Sequence, residues 1–185
     1  MHRRPNFIFT DEPRDIVRVD FYILNTTDKQ AELHFACRLA EKALSQDTTV
    51  YIHTHSEQDA EQLDDLLWSF SETSFIPHAI VGHPLVDDDV KVLIGFGEQR
   101  SPAGLLIKLA PLEHENNQYP RIAEIVSQDK NSLQASRKAY RHYQQAGFSV
   151  HHHNSPTKKN NNRPNLKLIK TDNHFKDNIE IKDHG

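Results

Sequence analysis

Residues 17–53, VRVDFYILNTTDKQAELHFACRLAEKALSQDTTVYIH, decide the fold. Val17 to Leu24 is β-branched and aromatic, with no glycine or proline, and reads as a buried strand. Thr27-x-x-Gln30 has the spacing of a capping box, in which the hydroxyl takes an orphan amide and the longer side chain reaches back. The helix it opens, about 28–45, sets Leu33, Cys37, Ala40 and Leu44 on one stripe, as i, i+4, i+7 and i+11 must be at about 100° per residue. Thr48 to His53 is a second β-branched run. Strand, helix, strand in so short a span points to a sheet that is at least partly parallel.

The pattern continues outward. Ser56 caps a second helix with Glu57 and Asp59 in its first turn, where acids suit the helix dipole. Ala60, Leu63 and Leu67 are its apolar seam. WSFSETSFIPHAIVGH, from Trp68, is irregular, and Pro77 excludes a central strand there. Val90–Phe96 and Leu105–Leu109 read as strands joined by the turn-rich GEQRSPAG. Tyr119–Ser127 reads as a short helix with Pro120 in its first turn. Asn131 to Phe148 reads as a helix that ends where Gly147 turns left-handed. Its small-residue face is Ala135, Ala139 and Ala146, and Phe148–Val150 follows as an edge strand. The expected class is α/β, with helices on both faces of the sheet. Three segments are expected: an extension over 1–16, one domain over 17–150, and a polar, disordered tail over 151–185.

Composition narrows the function. The chain of 185 residues is 36% hydrophobic and 26% charged, which suits one domain with a real core. No apolar run reaches the roughly 20 residues of a membrane span, and the N-terminal residues lack a signal-peptide apolar region, so a cytoplasmic protein is expected. The single cysteine, Cys37, sits among core helix positions and leaves no disulfide framework. Ala43 to Val90 holds ten acids and no Lys or Arg, a span that would repel a phosphate backbone. The tail, 151–185, has seven Lys/Arg against four Asp/Glu, hence +3, so the rest of a chain of net −4 carries −7.

Catalytic patterns are scarce. There is no P-loop, no dinucleotide-binding glycine motif and no nucleophile elbow, so no cofactor is expected. His53-x-His55 after the second strand is the one metal-like pair, with Asp59, His78 or His83 as conceivable further ligands; a small metal-dependent hydrolase is the alternative it supports. Asp64-Asp65 and Asp87 to Asp89 read as solvated surface acids, and the His151–His153 run as too flexible to preorganise a site. Two interaction features stand out instead. Trp68, Phe70, Phe75, Ile76 and Pro77 crowd ten residues, the composition of an apolar patch. Arg137, Arg141 and Gln144 share a helix face bordered by Tyr140, with Lys138 just outside. That face fits an acidic ligand, although such faces are more often simply wet.

VDFYIL, DLLWSFSETSFIPHAIVG and the closing Ala139-Tyr140-Arg141-x-Tyr143-x-x-Ala146-Gly147-Phe148 resemble, in order and spacing over about 17–150, the chi subunit of bacterial DNA polymerase III, a clamp-loader accessory protein. The resemblance implies a Rossmann-like fold without nucleotide binding and no catalysis by this chain. It implies two partners in replication: the psi subunit, and the acidic C-terminal tail of single-stranded-DNA-binding protein, with DNA met only indirectly. On the matching positions, Trp68, Phe75, Pro77 and His78 belong to the psi surface. Arg137, Tyr140 and Arg141 belong to the tail site, Arg141 standing where the family often has Lys, which adds bidentate pairing with carboxylates. The family pattern does not generally carry the His53/His55 pair, so the resemblance gives it no role.

Overall fold

In a computed structural model, the described residues are 16–70, 75–82, 90–112 and 118–154. The order of elements is β1 (Arg18–Ile23), α1 (Lys29–Leu44), β2 (Val50–Thr54), α2 (Glu57–Ser69), β3 (His78–Ile80), β4 (Val92–Phe96), β5 (Leu105–Lys108), β6 (Arg121–Val126), α3 (Lys130–Gln145) and β7 (Ser149–Asn154). The seven strands form one sheet in the order β3-β4-β2-β5-β6-β1-β7. All its pairings are parallel.

Period-2 alternation divides the core between the two faces. Val50, Ile52, Val92, Ile94, Leu105 and Ile107 pack with Leu33, Ala36, Cys37 and Ala40 of α1 and Ala60, Leu63 and Leu67 of α2. Val19, Phe21, Tyr51, Leu106 and Ile122 point the other way, towards Tyr143 of α3. Helices therefore cover both faces, as expected. Over β2 the second face is closed by loop instead: Tyr51 stacks on Tyr119 at 6.2 Å, and its hydroxyl donates to the Gln99 carbonyl. Gly95 makes room for that ring, since a Cβ there would lie 2.3 Å from the Tyr51 hydroxyl. Pro77 immediately precedes β3, and β3 is an edge strand, as a proline so placed allows.

Four expectations need correction. The first-helix cap is Asp28, whose carboxylate accepts from the Gln30 amide, while Thr26 supports Asp28. Trp68 lies in the last turn of α2 rather than beyond it. Residues 121–126 are a strand between β5 and β1, not a short helix. The three-residue spacing of Arg121 and Glu124 imitates a helix, but Ile122, Ile125 and Val126 are β-branched, and Glu124 has a partner inside the protein. Finally, β7 extends through Asn154 and takes in His151–His153, because β1 offers a full-length parallel edge, Arg18↔Ser149 to Ile23↔Asn154. Of the expected 1–16 extension, residues 1–15 lie outside the described residues, as do residues 155–185 of the expected 151–185 tail.

Candidate interaction surfaces

α3 is anchored at both ends. Asp129 caps it by accepting from the amides of Asn131 and Ser132. At its other end Gly147 has φ +76°, its amide donates to the Gln144 carbonyl, and the Phe148 amide donates to Tyr143. That is a Schellman motif, completed by stacking of Phe148 on Tyr143 at 5.6 Å. The buried line of α3 is Ser136 and Tyr143, flanked by Leu133, Ala139 and Tyr140. This lies roughly a quarter-turn from the alanine face expected from the sequence, and Ala146 is exposed. The large rings set the docking angle because they bury more apolar area than alanines.

A buried polar triad fixes that angle. Lys108 of β5 and Glu124 of β6 pair at 2.7 Å with 3% and 10% of their side chains exposed. The Tyr143 hydroxyl donates to Glu124 at 2.6 Å and accepts from Lys108 at 3.0 Å. Nothing in the sequence signals this link, since its three members come from three separate elements.

With α3 so docked, Arg137 and Arg141 are exposed one turn apart, and Tyr140 lies half-buried between them and the sheet. Its ring meets Phe21 at 5.9 Å and His152 at 5.3 Å, and His152 meets Phe21 at 5.6 Å. The Tyr140 hydroxyl accepts from Gln144. Lys130, Arg137, Lys138 and Arg141 are the charged residues of the helix; it carries no acid. The geometry is a cationic ridge beside a shallow aromatic seam. His152 belongs to that seam, which the sequence reading missed because it assigned the histidine run to the tail. Burial, with His153 and His151 beside it, lowers the His152 pKa.

The second surface sits at the opposite edge. Trp68 and Phe75 are 61% and 67% exposed, with ring centroids 5.3 Å apart. His78 lies beneath, edge-on to Trp68 at 5.1 Å. Its ring nitrogens face the carbonyls of Ile76 and Asp64. Pro77 is half-buried, and Ile76 plugs the core at 2% exposure. The aromatic cluster thus divides: Ile76 serves the core, while Trp68 and Phe75 face solvent.

Among the described residues, no third ligand joins His53 and His55. β2 ends at Thr54, so His53 is buried and His55 exposed. His53 lies 3.3 Å from the Tyr51 hydroxyl, and burial, with Arg100 and Lys108 adding, lowers its pKa to about 4. Of the conceivable further ligands, Asp59 pairs with Lys29, His78 is held under Trp68, and His83 lies outside the described residues. No group of three His, Cys, Asp or Glu that could hold a metal occurs among the described residues. The small cleft beside His53, about 220 Å³, is lined also by Glu98 and Arg100. Cys37 is buried, with its thiol pushed up to about 12 by burial, the state of a packing residue rather than a nucleophile. No helix among the described residues is long and apolar enough to cross a membrane.

A family model described as the DNA polymerase III chi subunit matches residues 16–151. The DNA polymerase III subunit chi of Pseudomonas aeruginosa is 38% identical over 148 residues, covering 76% of this chain and 99% of that protein. Its Escherichia coli namesake is 25% identical over 136 residues, covering 70% and 92%. Among solved structures, a DEAD box protein of Methanococcus jannaschii is similar at a TM-score of 0.47 and 10% identity, covering 75% of this chain, which spans 42% of that one.

Proposed function

Because the chain belongs to the DNA polymerase III chi subunit family, we propose that it works as a non-catalytic adaptor, joining the psi subunit, and through it the clamp loader, to single-stranded-DNA-binding protein. Its place of work is the cytoplasm, in the replication machinery. The observation that carries this reading is the separation of the two surfaces. Trp68 and Phe75 stand by edge strand β3, and the α3 ridge stands by edge strand β7. Six strand spacings of about 4.8 Å put the edges roughly 30 Å apart, enough for two partners to bind at once.

Each surface has chemistry suited to its partner. An acidic peptide ending in an apolar residue needs cations for its carboxylates and a pocket for its last side chain. Arg137 and Arg141 supply the first; Tyr140 and His152, backed by the buried Phe21 ring, wall the second. Exposed charges are screened, and the peptide must be ordered, so binding is modest and weakens with salt. Trp68 and Phe75 form the compact aromatic anchor on which stable protein contacts concentrate their energy, with Pro77 and His78 shaping its base. DNA is met only through its coating protein.

Fluorescence anisotropy separates the surfaces. Arg141→Glu is expected to abolish binding of the terminal peptide of single-stranded-DNA-binding protein while psi still binds. Trp68→Ala is expected to do the reverse. Equal loss of both partners in either variant, or peptide binding indifferent to salt, would overturn the two-surface reading.

A further inference from the structure

The face of the sheet opposite α3 carries a second cationic feature. α1 packs on β2 and β5, so its edge overhangs β6 and β1, and a cleft of about 260 Å³ opens under the overhang. That is near the lower end of small-molecule pockets, about 300 Å³. Its apolar walls include Leu39, Ala43, Leu105 and Ala123, with Tyr22 at one side. Gly104 forms part of the rim, where a Cβ would lie 2.8 Å from the Thr48 methyl.

Two cations reach this cleft and no carboxylate lines it. Lys42 projects from the last turn of α1 and is exposed. Arg121, 41% exposed, is held in place by its Nε, which donates to Asp20 at 2.9 Å. Asp20 is fully buried, paired with Arg18 and Arg121 and in hydrogen-bond contact with His153. Burial alone would raise its pKa, but hydrogen bonds from His153, Arg18 and Arg121 outweigh that and hold it well below the usual carboxylate range. Asp20 offsets one of the two arginine charges, so the network keeps a net positive charge. Beside Tyr22 stands Phe35, at 5.3 Å, with the Arg38 guanidinium over it. Arg38 Nε is buried without a hydrogen-bond partner among the described residues, a further source of positive potential on this side.

We propose that the cleft between α1 and β6 binds a small amphiphilic anion, with an oxyanion head between Lys42 and Arg121 and a short apolar body against Leu39, Ala43, Leu105 and Ala123. The head is a carboxylate or a phosphate ester. The apolar part of the lining, which Gln46, Thr48 and Gly104 share, favours a short body, because a bare anion gains nothing from it and remains better hydrated in water. The site is independent of the α3 ridge, which lies across the sheet.

The test is titration of the full chain, isotope-labelled, with hexanoate, hexyl phosphate, inorganic phosphate and 1-hexanol, followed by amide and methyl shifts. Saturable shifts at Leu39, Ala43, Leu105 and Ala123 are expected with hexanoate or hexyl phosphate, and whichever binds tighter identifies the head. Inorganic phosphate and hexanol should each bind at least tenfold more weakly. Lys42→Glu should weaken the anion tenfold or more, and Lys42→Arg should keep it within about threefold. Lys42 is exposed, so both variants should fold, which circular dichroism checks. No saturable shift with either amphiphile, shifts as large with inorganic phosphate, or indifference to Lys42→Glu would each overturn the proposal.

Discussion

Glu124→Leu tests how α3 is held. The substitution removes the Glu124 carboxylate that pairs with Lys108, whose side chain is 3% exposed, and the acceptor of the Tyr143 hydroxyl. Removing one partner of a buried ion pair costs about 3–5 kcal/mol, because the other charge stays buried without its counter-charge. For a domain of this size each kcal/mol moves Tm by roughly 2–4 °C, so the loss is about 6–20 °C by differential scanning calorimetry, with a matching fall in the urea midpoint. The triple variant Lys108→Met, Glu124→Leu, Tyr143→Phe removes every polar group of the triad together. Replacing a whole buried ionic cluster by apolar residues of similar size is often neutral or stabilising, so most of the loss should return. A single-variant cost below about 1 kcal/mol, or a triple variant no better than the single, would refute the reasoning. The triad would then be a bystander to the docking of α3.

Two further outcomes follow from the site geometry. His53 binds its proton more weakly folded, at about 4, than at its ordinary value of 6.5. Its contribution to stability is therefore complete above pH 6.5 and is lost as pH falls towards 4, with a slope approaching about 1.4 kcal/mol per pH unit; urea melts of the protein and of His53→Gln across that window should show the variant's profile flatter. Gly147 stands at φ +76° with open space around its Cβ position, so Gly147→Ala meets backbone strain alone, about 1–2 kcal/mol, read as a lower urea midpoint with an unchanged m-value.

The chain determined by itself whatever depends on local pattern. The strand–helix–strand unit over 17–53, the Ser56 cap, the α2 seam and the Gly147 stop all follow from periodicity and backbone chemistry, which act within a turn or two. Arg137, Tyr140 and Arg141 likewise share a helix face whatever that helix packs on, whereas their assignment to a partner, like that of Trp68 and Phe75, came from the family resemblance. Residues 121–126 and 151–154 were misread for one reason. Their conformation is set by neighbours far away in sequence: Lys108 and Tyr143 satisfy Glu124, and β1 supplies a pairing edge to a histidine run with little strand propensity of its own. Only the tertiary structure decided which residues a given side chain would meet. It centred the packed face of α3 on Ser136 and Tyr143, with Ala139 at the flank and Ala146 exposed, and it placed His152 against Tyr140. It also set the two surfaces at opposite edges of one sheet, because strand order depends on long-range pairing, which a local pattern does not encode.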